Sequence, residues 1–304
     1  MTMPETIGAG RVANAMSVDV EEHFQVQALA DAVPRADWAS RPSRVALSTG
    51  RVLDLFARAG IKATFFTLGW VARSQPALIR RIVAEGHELA SHGFEHILAH
   101  SQTPEQFRAD VRATKRILED LSGQPVIGYR AATFSIGAAN PWAFEVLAEE
   151  GHLYSSSVNP IAHDLYGMPD APRFAFRPRS ELNLVEFPIT TVKLAGRNRP
   201  CGGGGFFRLL PYQWSRWAID RVNRREGRSS IFYFHPWEVD PDQPRETGLS
   251  LKSRFRHYTN LGRMEAKLTH LLADFSWGRM DHVFASEIQG IGASTARPIP
   301  ATVH

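Results

Sequence analysis

The sequence has very little cysteine, no long apolar run and no leader pattern. Its single cysteine, Cys201, leaves no disulfide to form within one chain, and nothing ties the protein to an oxidising compartment. No stretch approaches the roughly 18 consecutive apolar residues of a membrane-spanning helix. Residues 1–15 lack the basic and then apolar order of a secretion signal, since Arg11 is their only basic side chain. These absences lead us to expect a cytoplasmic protein.

A strong bias towards charge of one sign is missing too. Lysine plus arginine number 35 and aspartate plus glutamate 31, so the formal net charge is only +4. This excess is a weak attraction for anionic partners such as lipid phosphates, nucleotides or acidic glycans, and an arginine-rich composition explains it equally well. No nucleic-acid-binding motif occurs, and we therefore expect no nucleic acid partner.

Apolar periodicity predicts short strands that alternate with helices. The predicted strands are residues 13–20, 62–68, 87–91, 126–130, 186–189 and 230–234. The predicted helices are residues 45–59, 76–85, 104–121, 141–150, 212–225 and 261–275. Such alternation favours parallel β/α units, in which functional side chains collect at the carboxyl ends of the strands.

Polar side chains fall at or just after four of these predicted strand ends. They are the acids of residues 19–22, the pair His92 and His96, then Arg130, and finally His235. Because the carboxyl ends of parallel strands meet at one edge of a sheet, the four positions indicate one shared site.

The histidine pair is the strongest single signal. We expect His92 and His96, four residues apart, to lie on one face of a helical turn, so that both imidazoles reach one ion. Zinc-like sites often combine two histidines with one carboxylate and leave a position open for water. The spacing alone is weak, because His87 and His100 make the whole segment rich in histidine, and surface or capping histidines fit it equally well.

The acids of residues 19–22 carry the second signal. Carboxylates packed at a strand end repel one another unless a cation or an arginine neutralises them, which suits a metal site with a general base. An acidic helix amino terminus is the alternative reading. Positions i and i+2 of a strand share a face, so Asp19 and Glu21 converge while Val20 packs away from them.

Two further residues fit such a site. Arg130 is a fixed positive charge and a bidentate partner for a carboxylate, although a lone arginine is more often a surface residue. His235 ends an aromatic strand, where a histidine either belongs to the core or donates a proton at the mouth of a barrel.

In their order and spacing these segments resemble the polysaccharide deacetylase superfamily, also called the NodB-homology domain or carbohydrate esterase family 4. The resemblance extends to a subfamily associated with exopolysaccharide and exosortase (PEP-CTERM) loci, and it covers about residues 13–287. The segments that carry it are residues 17–21, 86–93, 128–131, 166–174, 234–238 and 256–264. One departure is Ala132, where the arginine motif usually has proline.

The resemblance implies a fold and a domain division. The fold is an α/β, distorted (β/α)7-type deacetylase barrel with a family-specific carboxyl-terminal extension at about residues 240–287. Residues 13–287 would form this domain, between a flexible amino-terminal tail at 1–12 and a flexible carboxyl-terminal tail at 288–304.

The resemblance also implies an activity, which is metal-dependent removal of N-acetyl groups from amino sugars of a polysaccharide or a lipid-linked glycan intermediate. The metal would be Zn²⁺, with Co²⁺, Ni²⁺, Mn²⁺ and Fe²⁺ as alternatives. The partners would be the glycan substrate and membrane-associated exopolysaccharide machinery. Two rival hypotheses are an amidase of the same fold that acts on a small cyclic amide or ureide, and a glycan-binding protein without catalysis.

The resemblance finally assigns roles to residues. It assigns the metal ligands Glu21, His92 and His96 and the catalytic residues Asp19, Arg130 and His235. Asp19 would be the base, Arg130 its partner and His235 the proton donor. An exchange of roles between Asp19 and Glu21, or Glu22 in place of either, stays open. Apart from the resemblance, the aromatic residues Tyr129, Phe134 and Trp237 are candidates for substrate binding, although aromatic residues at strand ends more often belong to the core.

Overall fold

The structure is a computed structural model that describes residues 12–164 and 166–293. Its strands are β1 (Ala13–Val20), β2 (Thr64–Thr67), β3 (Glu88–Ser91), β4 (Gly128–Tyr129), β5 (Tyr154–Ser155), β6 (Val185–Glu186), β7 (Thr191–Leu194), β8 (Arg197–Pro200), β9 (Ile231–Phe234) and β10 (Ser276–Gly278). Its helices are α1 (Val45–Ala59), α2 (Gly69–Ser74), α3 (Pro76–Ala84), α4 (Pro104–Ser122), α5 (Trp142–Glu149), α6 (Gly204–Leu209), α7 (Tyr212–Glu226), α8 (Leu251–Tyr258), α9 (Leu261–Asp274), α10 (Met280–Val283) and α11 (Ala285–Ala293).

The main sheet is curled and its strands run parallel. Along it the order is β10, β1, β2, β3, β4, β5 and β6, and β9 also pairs with β1. β7 and β8 form a separate antiparallel hairpin. The sheet makes a half-barrel surrounded by helices, which confirms the predicted α/β deacetylase-type barrel. All the carboxyl strand ends therefore open on the same edge.

Helix boundaries follow local signals in the chain. Thr103 and Gln106 form a capping box before α4, with Pro104 at the first helical position. Gly60 ends α1 with φ of +65°, a left-handed conformation that favours glycine. The apolar faces of α1, α3 and α9 pack against Val18, Phe65 and Phe232 of the sheet and form the largest core cluster. This packed core fixes the positions of the strands whose carboxyl ends carry the predicted site residues.

Most predicted elements appear within a few residues of their expected places. Several short ones were not predicted, among them the hairpin and α8. Residues 1–11 and 294–304 of the predicted tails lie outside the described residues. The prediction of a tail from residue 288 is wrong at its start, because residues 285–293 form α11. Glycines at 290 and 292 hide this helix in the sequence, while Ile288 packs into the core beside Phe284.

Within the described residues, no helix is long and apolar enough to cross a membrane.

Candidate active site

The acidic end of β1 supplies two of the expected side chains. Asp19 lies inside the strand and Glu21 directly after it, and both face one cavity while only 2% and 1% exposed. Val20 points to the opposite side and packs in the core. The alternation of a strand thus brings both carboxylates to one face.

Glu22 has another position, and the open suggestion that it serves as base or ligand is wrong. Its carboxylate accepts hydrogen bonds from the backbone N–H groups of Arg44 (2.9 Å) and Val45 (3.1 Å), and from the hydroxyl of Ser43. These are groups at the start of α1, so Glu22 satisfies free donors of a helix and complements its positive end. Asp19 and Glu21 therefore belong to the site, whereas Glu22 stabilises the scaffold.

Glu22→Ala is expected to destabilise the metal-free protein by about 2 kcal/mol, because it leaves buried backbone donors without an acceptor. Urea unfolding of the metal-free chain measures this loss. Glu21→Ala is the matched control, and for it we expect the opposite pattern, loss of divalent-metal binding with the fold retained. A Glu22→Ala protein that is fully stable but binds no divalent metal would contradict this division of roles.

His92 and His96 follow β3, but not on a helix as expected. Residues 92–98 form a loop, which turns at Gly93 with φ of +75° and again at His96 with φ of +53°. The two rings nevertheless lie side by side, with centroids 5.3 Å apart and planes tilted by 60°. Asp110 of α4 supports the loop, since its carboxylate accepts the N–H of Phe94 at 3.1 Å. The loop therefore brings the two imidazoles together, as a helical turn was predicted to do.

Glu21, His92 and His96 form a buried cluster whose candidate ligand atoms all lie within 4.8 Å of one another. Nε2 of His96 is 3.1 Å from Oε2 of Glu21, and this buried oxygen has no hydrogen-bond partner. Nδ1 of His92 lies 2.8 Å from the carbonyl oxygen of Arg130. In that arrangement Nδ1–H donates and Nε2 keeps its lone pair for a metal.

The protonation of these groups also suits a cation. Burial raises the pKa of Glu21 to about 7. Burial lowers the pKa of His92 and places that of His96 well below its ordinary value. Neutral imidazoles are the ligating form, and a buried carboxylate oxygen without a donor gains most from a positive ion. The residues present therefore fit a divalent metal with two nitrogen ligands and one oxygen ligand.

Trp237 supports this cluster from the side. Its indole N–H donates to Oε1 of Glu21 at 3.2 Å, and its ring stacks between His235 and His257 at 5.1 and 4.3 Å. The sequence predicted Trp237 as a substrate-binding residue. It does line the cavity, and in addition it orients the carboxylate.

Arg130 enters the site from the end of β4 and is fully buried. One of its terminal nitrogens donates to Oδ1 of Asp19 at 2.6 Å and to the hydroxyl of Ser17 at 2.9 Å. The contact with Asp19 thus uses one nitrogen, and the expected bidentate pairing is wrong. The rest of the guanidinium is held by the hydroxyl and the carbonyl oxygen of Ser156, at 3.0 and 3.1 Å, and lies 4.0 Å from the ring centre of Phe66.

His235 follows β9 and faces both carboxylates. Its Nε2 is 3.6 Å from Oε1 of Glu21 and 4.0 Å from Oδ2 of Asp19, while its Nδ1 is 2.9 Å from Oε1 of Glu238. Burial alone would lower the pKa of His235, but Glu21, Glu238 and Asp19 raise it to about 9. The surrounding carboxyl groups therefore favour the protonated form of the His235 imidazole.

Glu238 and Arg208 complete this arrangement, and the sequence predicted neither. Although burial opposes it, the positive charge of Arg208 and the contact with His235 lower the pKa of Glu238 to about 2. Nε of Arg208 donates to Oε2 of Glu238 at 2.6 Å. A Cβ at Gly204 would lie 2.3 Å from Glu238, so α6 comes this close only because glycine stands there. The position of Glu238, three residues after His235, is the sequence signal that could have identified it.

The remaining predicted residues divide between cavity and core. Phe134 lines the cavity and meets Tyr233 edge to face at 4.9 Å. Tyr129 does not line it, and the prediction that it binds substrate is wrong. Its ring is buried between Phe107 and His152 at 5.7 and 5.6 Å. Since neighbouring residues of a strand face opposite sides, Arg130 points into the site and Tyr129 points away from it.

These side chains line one cavity of about 370 Å³ at the carboxyl edge of the sheet. The metal-type cluster, Asp19 and His235 lie together, and much of the remaining wall is aromatic. The aromatic residues of this wall are Phe134, Tyr166, Phe206, Tyr233, Trp237 and Phe255. A cavity of this size with a few convergent polar groups is typical of a small-molecule or sugar site. The fold and the site together define an α/β half-barrel protein with a candidate metal centre.

Comparison with known proteins shows two similarities, one in each half of the chain. Residues 42–151 match the polysaccharide deacetylase family, and residues 156–285 match a family described as a domain of unknown function (DUF3473). Over about a third of its length the chain is therefore similar to the polysaccharide deacetylase family. His92, His96 and Arg130 lie in the first match, His235 lies in the second, and Asp19 precedes both.

Two curated relatives agree with this domain. A chitooligosaccharide deacetylase of Bradyrhizobium sp. (strain ANU 289) is 34% identical over 100 residues, which are 33% of this chain and 43% of the relative. A peptidoglycan-N-acetylglucosamine deacetylase of Bacillus cereus is 30% identical over 79 residues, 26% of this chain and 37% of the relative. The chain therefore spans less than half of the length of these relatives.

A solved structure shows the same fold over the full length. It is a presumed polysaccharide deacetylase from Mycobacterium smegmatis, with a TM-score of 0.61, 19% identity, and coverage of 100% of this chain and 98% of the other. At this identity the similarity supports the fold alone.

Proposed function

We propose that this protein is a metal-dependent hydrolase that removes N-acetyl groups from amino sugars of a glycan. One observation carries the proposal. Two histidines and a carboxylate with an unpartnered oxygen lie in the same cavity as an Asp–Arg pair and a histidine held by a carboxylate. The polysaccharide deacetylase match and the two deacetylase relatives support the same reaction class.

Glu21, His92 and His96 are the residues that would hold the metal, and the proposal keeps Asp19 out of the ligand set. A divalent ion there supplies Lewis acidity towards an amide carbonyl and acidifies water. Zn²⁺ is our proposal for this ion, because two imidazoles and one carboxylate are a common zinc set.

The chain itself supplies the proton transfers. Asp19, held by Arg130, accepts the proton of the attacking water. His235, held by Glu238 on its other nitrogen, donates a proton to the leaving amine. Amide hydrolysis needs this second transfer, because an amine anion is too poor a leaving group to depart unprotonated. Asp19 and His235 face each other at 4.0 Å, so both reach one scissile bond.

The biological setting is a further part of the proposal. The resemblance to the exosortase-associated subfamily supports a role in exopolysaccharide biosynthesis, with a polymer or a lipid-linked intermediate as substrate. The cytoplasmic location expected from the sequence stays a prediction.

Release of acetate from N-acetylglucosamine oligomers by the zinc-loaded protein tests the proposed function. We expect acetate and a free amine in equal amounts, and loss of both after chelation, with recovery when zinc is added. A protein that binds zinc but releases no acetate from these oligomers or from lipid-linked N-acetylated glycans would contradict the proposal. The rival hypothesis of an amidase for small cyclic amides would then take its place.

A further inference from the structure

The helix α8 forms part of the rim of the cavity and has an unusual surface. Lys252, Phe255 and Arg256 line the cavity mouth. Leu251 is 83% exposed and Phe255 58% exposed, which makes them the two most exposed large apolar side chains of the described residues. At positions i and i+4 they share one face of the helix.

The other exposed large apolar side chains do not form such a pair. Leu47 lies on α1, Leu194 on β7 and Trp217 on α7, with exposures of 49%, 42% and 41%. Exposed apolar residues scattered singly are ordinary on a protein surface, whereas an adjacent pair at the mouth of a cavity indicates contact with an apolar partner.

Positive charge surrounds the apolar pair. Arg245, Arg254 and Tyr258 line a depression of their own, and Phe255 belongs to both this depression and the cavity. Within residues 12–164 and 166–293, neither arginine has a carboxylate within ion-pair distance, and Arg245 lies 4.3 Å over the ring of Tyr258. Glu246 also lines the depression, but its carboxylate is paired with Arg41.

Two other basic residues of α8 are already neutralised in part. Lys252 and Arg256 both bind the carboxylate of Asp164, at 2.6 and 3.0 Å. The charge left for an external partner is thus mainly that of Arg245 and Arg254. Both arginines are exposed, and both line the depression to which Phe255 belongs.

We propose that α8 and the segment of residues 245–250 before it attach the protein to an anionic phospholipid surface. Arg245 and Arg254 lie at the level of the lipid phosphates, and Leu251 and Phe255 insert among the acyl chains. An exposed apolar pair flanked by unpaired basic side chains is the pattern of an interfacial helix. A neutral glycan carries no charge to pair with the two arginines. In this orientation the mouth of the cavity faces the membrane.

Sedimentation with lipid vesicles tests the attachment in the absence of any glycan, so the result does not depend on the proposed reaction. We expect the wild type to bind vesicles that contain phosphatidylglycerol and not vesicles of phosphatidylcholine alone. Leu251→Ser/Phe255→Ser and Arg245→Gln/Arg254→Gln should each weaken the binding by roughly tenfold or more. The single variant Leu251→Ser removes a side chain outside the core and should weaken it with an unchanged melting temperature.

Two control variants separate this surface from a general effect of charge or apolarity. Arg224→Gln/Arg225→Gln removes two exposed charges at the end of α7, which leads to the start of β9 and so lies away from the cavity. Leu47→Ser/Leu194→Ser removes two other exposed leucines. Both controls, and His92→Ala, should bind vesicles as the wild type does. Failure of the wild type to bind anionic vesicles, or an equal loss in the controls, would overturn the proposal.

Discussion

Asp19→Asn is expected to lower kcat for acetate release by about 10²–10⁴-fold and to leave bound zinc in place. Asparagine keeps the shape of the side chain but cannot accept the proton of water, and general-base catalysis is worth about this factor. Zinc should remain because the ligand set, Glu21 with His92 and His96, does not include Asp19. Kinetics on N-acetylglucosamine oligomers and the zinc content of the purified variant measure the two effects.

Glu22→Gln is the matched control for this substitution, since it removes a charge from the same acidic segment at a side chain that caps α1. Its kcat should stay within a few-fold of the wild type at a temperature where the protein is folded. Loss of zinc in Asp19→Asn would mean that Asp19 is a ligand, and the roles of Asp19 and Glu21 would have to be exchanged.

His235→Ala is the second substitution for which we expect a large loss, again of about 10²–10⁴-fold in kcat. The imidazole donates the proton without which the tetrahedral adduct returns to substrate. A substrate whose leaving group needs no proton, such as an activated aryl acetate, should lose much less. Comparison of the two substrates for wild type and variant measures the specific contribution of His235.

Glu238→Gln separates proton donation from packing around His235. The negative charge of Glu238 raises the pKa of His235, so its removal lowers that pKa. Activity that needs protonated His235 is lost as the pH rises through this pKa, and the alkaline limb of the pH–rate profile should therefore move to lower pH in Glu238→Gln. An unchanged limb, or a limb moved to higher pH, would contradict the role of His235 as proton donor.

The long helices and strands, and the convergence of the site residues, can be predicted from the sequence. The convergence has a physical reason. Asp19, Arg130 and His235 lie at or near the carboxyl ends of parallel strands, and those ends share one edge of the sheet. The apolar runs that mark such strands and the periodicity of α1 and α9 are visible without a structure. The short elements β5 and β10 are not, because two or three residues carry no periodicity.

Tertiary contacts decide what the sequence left open or predicted wrongly. Glu22 caps α1 only because that helix begins beside the end of β1, and Arg208 reaches Glu238 from a helix that is 30 residues away in the chain. The side chain of Tyr129 points away from the site because adjacent residues of a strand face opposite sides. This rule could have predicted its position once Arg130 was assigned to the site. The loop of His92 and His96 has left-handed turns that no spacing rule predicts.

Titration of the metal-free protein with zinc by calorimetry tests the central claim most directly, for the wild type, His92→Ala and the exposed neighbour variant His100→Ala. We predict one zinc ion per chain for the wild type and for His100→Ala, and an affinity at least about 100-fold lower for His92→Ala, which has lost one of three protein ligands. Binding of no stoichiometric ion by the wild type, or equal binding by all three proteins, would contradict the account and favour a glycan-binding protein without catalysis.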